Sequence, residues 1–92
     1  MGPVELLRQS LTDVEANADF SEAVVSLRDG SRLCFCHRVG ERWARAVGPL
    51  GNETETGLAG QVLPLLVRFR LNAKHLEVEL PEGGRWEARF RG

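Results

Sequence analysis

No apolar run in this chain approaches the roughly 20 residues that cross a bilayer as a helix. The opening residues, Met1-Gly2-Pro3-Val4-Glu5, put no basic segment ahead of an apolar one, so no secretory signal is expected. Gly2 does not begin a myristoylation motif, because Leu6 stands where Ser or Thr is required. Two cysteines do not make a disulfide framework. The expectation is a single small cytoplasmic domain that engages no membrane. Asn52-Glu53-Thr54 is then a chance match to a glycosylation acceptor.

An excess of one charge is missing as well. The formal net charge is −1, which gives no global attraction to nucleic acid or to an acidic membrane. Lysine is nearly absent: eleven of the twelve basic residues are Arg, and Lys74 is the exception. Guanidinium groups suit planar recognition of phosphate or carboxylate. The charge is unevenly spread. Residues 1–30 hold six acids and two arginines, whereas residues 31–50 hold four arginines and one acid.

Catalytic signatures are also lacking. Ser10, Ser21, Ser26 and Ser31 lie in no Gly-x-Ser-x-Gly turn, and Gly48, Gly51, Gly57 and Gly60 do not have phosphate-loop spacing. No catalytic residue and no cofactor is expected. Cys34-Phe35-Cys36-His37 is the one cluster suggestive of metal. Cysteines two apart on a strand share a face, but structural zinc wants a looser pair and four ligands. His37 would point the other way and only the distant His75 remains, so these cysteines read as small buried apolar groups and no metal is expected.

What is present is patterning. Leu65, Val67, Phe69 and Leu71 alternate with charged or other residues, as do Leu76, Val78 and Leu80, and then Trp86, Ala88 and Phe90. Strand side chains alternate between faces, so these runs predict an antiparallel meander with one apolar and one charged face. Strands are expected near 65–71, 75–80 and 85–90, with turns at Asn72-Ala73-Lys74 and Pro81-Glu82-Gly83-Gly84. Setting Arg70 opposite Glu77 puts Arg68 opposite Glu79. On the other side of the Glu77 strand, the registers tried against Arg85, Glu87 and Arg89 leave one glutamate facing another.

The N-terminal half predicts a second meander, with strands near 22–28, 32–38 and 42–47. Asp29-Gly30-Ser31 is read as a three-residue turn, because a two-residue turn would oppose Leu27 to Arg32. Before it, Val4, Leu7, Leu11, Val14 and Ala18 recur at helical spacing, and Pro3 suits a first turn, which predicts an amphipathic helix over 3–18. Residues 48–57 are a Gly-rich acidic loop, Leu58–Leu63 a candidate helical turn, and Pro64 its end. The fold class is therefore α+β, one helix packed on about six antiparallel strands in two three-strand meanders.

The function expected from this is a small non-enzymatic protein-interaction or binding module, acting on a protein partner or as a homodimer. Arg38, Arg42, Trp43 and Arg45 are its candidate binding residues. The alternative is a single-stranded nucleic-acid-binding domain. It would combine these residues with Arg32, Arg68, Arg70, Arg85, Arg89 and Arg91, arginines tracking phosphates while exposed Trp43, Phe35 or Trp86 stacks on bases. A third reading is a small-ligand carrier or enzyme whose site is assembled only in three dimensions.

Overall fold

A computed structural model describes residues 2–90; Arg91 lies outside the described residues. The order is α1 (Pro3–Ser10), β1 (Leu11–Ala16), β2 (Glu22–Leu27), β3 (Arg32–Arg38), β4 (Glu41–Val47), α2 (Gly57–Val62), a 3-10 turn (Leu63–Leu65), β5 (Arg68–Leu71), β6 (His75–Leu80) and β7 (Gly84–Arg89). Strands β1-β2-β3-β4 form one antiparallel sheet and β5-β6-β7 another. The α+β class holds, with seven strands instead of six, in sheets of four and three.

The largest correction is the expected 3–18 helix. The helix stops at Ser10, and Leu11–Ala16 is a strand paired with β2. Val14 fits an inward-facing strand position as well as the helical stripe, and Ala16 joins it on the inner face only in a strand, with Asp13 and Glu15 facing outward. Extending the helix would leave that edge of β2 unpaired, whereas a strand there satisfies it. A single-stripe helix of such length is marginal alone, so tertiary pairing overrides the local preference. Arg28 N–H donates to Ser10 O at 2.7 Å and ties down the junction.

The β2–β3 turn keeps the expected side of the sheet but not the expected register. Ser26 faces Arg32 and Val25 faces Leu33, so the loop is Arg28-Asp29-Gly30 and the pairing has slipped by two residues. Leu27 N–H donates to Ser31 O at 2.9 Å, and Gly30 takes φ +87°. A three-residue hairpin loop needs such a left-handed residue, and glycine adopts it without a Cβ clash.

The strand expected over 65–71 begins only at Arg68. Pro64 sits inside the 3-10 turn instead of ending the helical segment. Leu65 is 40 % exposed and Val67 59 %, so of that apolar row only Phe69 and Leu71 enter the core. The β5–β6 register is as expected, Arg70 opposite Glu77 and Arg68 opposite Glu79. Phe90 falls just past β7.

The inner faces of the sheets share one core. Val25, Leu27, Leu33 and Phe35 come from the first sheet, and Phe69, Leu76, Val78, Leu80 and Trp86 from the second. The Phe35 and Phe69 rings lie 5.1 Å apart and tilted, an arrangement worth about 0.5–1.5 kcal/mol beyond the area it buries. α1 lies against β7 and α2 instead of across a sheet, and α2 also meets β4.

That second helix is capped from a distance. Asp29 Oδ2 accepts from Leu58 N–H at 2.9 Å, and Ser31 Oγ accepts from Ala59 N–H at 3.0 Å. Ser31 N–H and Oγ–H in turn donate to Asp29 Oδ1. Partial burial works against ionisation of Asp29, but these donors outweigh it and hold its pKa below the usual carboxylate value. A Cβ at Gly57, whose φ is +58°, would strike Asp29 Oδ2, so the cap also requires that glycine.

Candidate interaction face

Register decides which residues share the outer face of the four-stranded sheet. Glu22, Cys36 and Trp43 form one row across the strands; Glu15, Val24, Cys34 and Arg45 form the next; Asp13, Ser26, Arg32 and Val47 form the third. Val24, Cys34, Trp43 and Val47 are half-buried there. With Glu15, Glu22, Arg45 and Glu53 they line a depression of about 480 Å³. Glu53 comes from the loop after β4, held by Gly48 N–H donating to Asn52 O and by Asn52 Oδ1 accepting from Thr54 and Glu55 N–H.

Three of the four candidate residues share this face, Trp43 and Arg45 lining the depression and Arg38 standing beside it. Trp43 Nε1–H donates to Glu41 Oε1 at 2.6 Å. The Arg45 guanidinium carbon lies 4.2 Å from the Trp43 ring centre, while a terminal nitrogen reaches Glu53 at 3.8 Å. Arg38 reaches Glu22 at 3.1 Å and Glu41 at 3.6 Å, and its Nε–H points at Cys36 Sγ, 3.3 Å away. The contact with Cys36, then the two carboxylates, pushes its pKa further up, so it is a permanent cation.

Arg42 leaves the group. It sits on the opposite face of β4, donates to Phe69 O and lays its guanidinium carbon 4.9 Å from the Phe69 ring centre. It bridges the sheets. Val24, Val47, Cys34 and the acids Glu15, Glu22 and Glu53 complete the face in its place. Val24 was legible as an apolar residue on a strand's polar side; Glu15 was not, because its segment read as helix.

Cys34 and Cys36 do share a face, and Cys36 is buried. Burial raises the Cys34 pKa, the nearby arginines opposing it only in part, so it carries less thiolate than a free cysteine and is a poor nucleophile at neutral pH. His37 is exposed on the other side.

The outer face of the three-stranded sheet is different in kind. Arg68 pairs with Glu79 at 2.9 Å and Arg89 with Glu87 at 3.4 Å. Glu77 faces Glu87 across the strands, one glutamate against another as anticipated. Its carboxylate is held by Arg85 at 3.4 Å and approached by His75 Nε2 at 3.5 Å, and Arg70, opposite it, makes no ion pair among the described residues. Side-chain atoms of His75, Glu77 and Glu87 come within 4.8 Å of one another, a donor set able to reach one divalent ion. Arg85 and Arg89 already supply the positive charge that a cation would bring.

Among the described residues no helix is long and apolar enough to cross a membrane. Comparison with protein-family models, with curated proteins and with solved structures finds no match for this chain.

Proposed function

We propose that this chain is a non-enzymatic interaction module that docks a protein partner on the outer face of its four-stranded sheet. The observation that carries this reading is the half-buried apolar floor of Val24, Cys34, Trp43 and Val47, which no element among the described residues covers. Outer sheet positions are ordinarily polar when they face water. An apolar centre rimmed by Glu15, Glu22, Arg38 and Arg45 has the anatomy of a protein interface, aromatic and apolar inside and charged at the rim. The nucleic-acid reading has less behind it, since Arg38 and Arg45 already hold carboxylates and Arg45 covers one face of Trp43.

The test is a photocrosslinking residue at position 24, with one at position 74 as control. Support is one protein adduct at position 24, absent at 74, competed by excess wild-type chain and not by a Val24→Asp chain that still unfolds cooperatively. The same adducts at both positions, or equal competition by the variant, would sink it. An adduct with a second copy of this chain would make the partner itself.

A further inference from the structure

β1 is an edge strand, and its free side is traceable. In an antiparallel pair, alternate residues exchange backbone hydrogen bonds with the partner strand and the residues between point theirs outward. Asn17 N–H donates to Glu22 O at 3.1 Å, and Glu15 and Asp13 stand in the same phase opposite Val24 and Ser26. The N–H and C=O groups of Val14 and Ala16 therefore point out of the sheet. Among the described residues none of them bonds to another element.

A groove of about 840 Å³ runs along this edge. Consecutive residues from Asp13 to Ala18 line it and no β2 residue does, so it follows the strand's side and not one of its faces. Phe20 and Phe90, their rings tilted at 37° with centres 5.7 Å apart, line one part of it. Its polar lip carries Asp13 and Glu15, and among the described residues neither makes an ion pair. Arg89, on the far wall, is tied to Glu87. At Glu15–Asn17 the groove joins the outer-face depression.

We propose that this edge takes an extended segment of a partner protein as a fifth strand, one that alternates basic and apolar side chains. The inference deepens the docking reading of the adjoining face and rests on it for the partner's being a protein. Free backbone groups supply the pairing, as in other strand additions. The alternation follows from the pleat: side chains beside Val14 and Ala16 face the phenylalanines, and those beside Asp13 and Glu15 meet unpaired carboxylates. A second β1 is the wrong occupant, because an antiparallel copy centred on Val14 would set Asp13 against Glu15.

The probe is a capped peptide of alternating Arg and Val, titrated into the full chain by fluorescence anisotropy, beside its Glu-Val counterpart. The Arg-Val peptide binds, and the Glu-Val peptide does not. Ala16→Pro removes one outward N–H at a place where an edge strand tolerates proline, and weakens binding by about tenfold or more. Glu15→Arg also weakens it. The same peptide N-methylated at alternate residues leaves the protein untouched and loses binding equally, which keeps the test sound if the proline variant unfolds. No binding, undiminished binding to Ala16→Pro or of the N-methylated peptide, or equal binding of the acidic peptide overturns the inference. The adduct at position 24 is scored separately, so the face can stand where the edge fails.

Discussion

The outer faces of the two sheets are built to opposite rules. On the three-stranded sheet Glu77, Glu79 and Glu87 each hold an arginine from the same sheet. On the four-stranded sheet the charges sit at the rim, the centre is apolar, and Asp13 and Glu15 are unpaired among the described residues. A face whose charges answer one another has little left to offer a partner. A face with a half-buried apolar floor, and with carboxylates unpaired among the described residues beside an open edge, leaves more to offer one. This difference is the ground on which we propose a docking face in the first half of the chain, although the second half is the better patterned.

Four measurements would break or sharpen that contrast. The largest effect tests whether the sheets differ only outside. Trp43 lies in the four-stranded sheet and Trp86 in the other, so single-tryptophan variants report on each. Phe35→Ala empties the shared centre and costs about 3–5 kcal/mol. Both reporters should move together in urea, since the inner faces form one core. Two separate midpoints would mean that the sheets are independent and that the contrast runs through the whole molecule.

Next is Asp29, which ties the four-stranded sheet to the helix leading into the other. Asp29→Ala removes a cap and leaves Leu58 N–H without its acceptor, a loss of about 2 kcal/mol by denaturant titration. The pH dependence has a definite sign. The folded pKa is lowered, so the stabilisation is complete above the ordinary carboxylate value of about 4 and is lost as pH falls through the folded value. Asp29→Asn should flatten that part of the acid limb. An unchanged acid limb would show that ionisation of Asp29 adds nothing to the cap.

Ser10 gives a smaller effect of opposite sign. Its hydroxyl is buried where α1 becomes β1 and has no hydrogen-bond partner among the described residues. Ser10→Ala should raise stability by up to about 1 kcal/mol, and a loss would reveal a partner for that oxygen. The smallest expected change is on the charged face. Arg85 is well exposed, so Arg85→Glu should cost only about 0.5 kcal/mol at low ionic strength, and less in high salt. A cost several times larger would mean that this face depends on its pairing far more than surface charges normally do.

The strands of the second sheet were legible because two periodicities agreed. Apolar residues alternate over β6 and β7, and setting arginines against glutamates led to the β5–β6 register that the structure has. That one glutamate would face another across β6 and β7 was readable from the chain; that the pair is Glu77 and Glu87 came from the structure. The candidate site was legible only in part. Arg38, Trp43 and Arg45 stand at odd and even positions that a strand assignment sorts correctly only if β4 is in phase with β3. Arg42, one residue from Trp43, therefore went to the opposite face and to Phe69.

By itself the sequence determined what short-range geometry can determine: alternation in β2, β3, β6 and β7, turns at glycine and asparagine, and the absence of any long apolar helix. Tertiary structure decided the rest. Leu11 and Val14 stand at helical spacing, and only Asp13–Ala16 alternates as a strand, with a register shift between Leu11 and Asp13; pairing with the open flank of β2 settled the segment as β1. Asp29 was readable as a turn residue, but its capping of α2 depends on Leu58, a partner 29 residues away that no local pattern identifies. The proposed edge and groove arise from the same choice, because a backbone becomes a free strand edge only when the neighbour on its other side has been fixed.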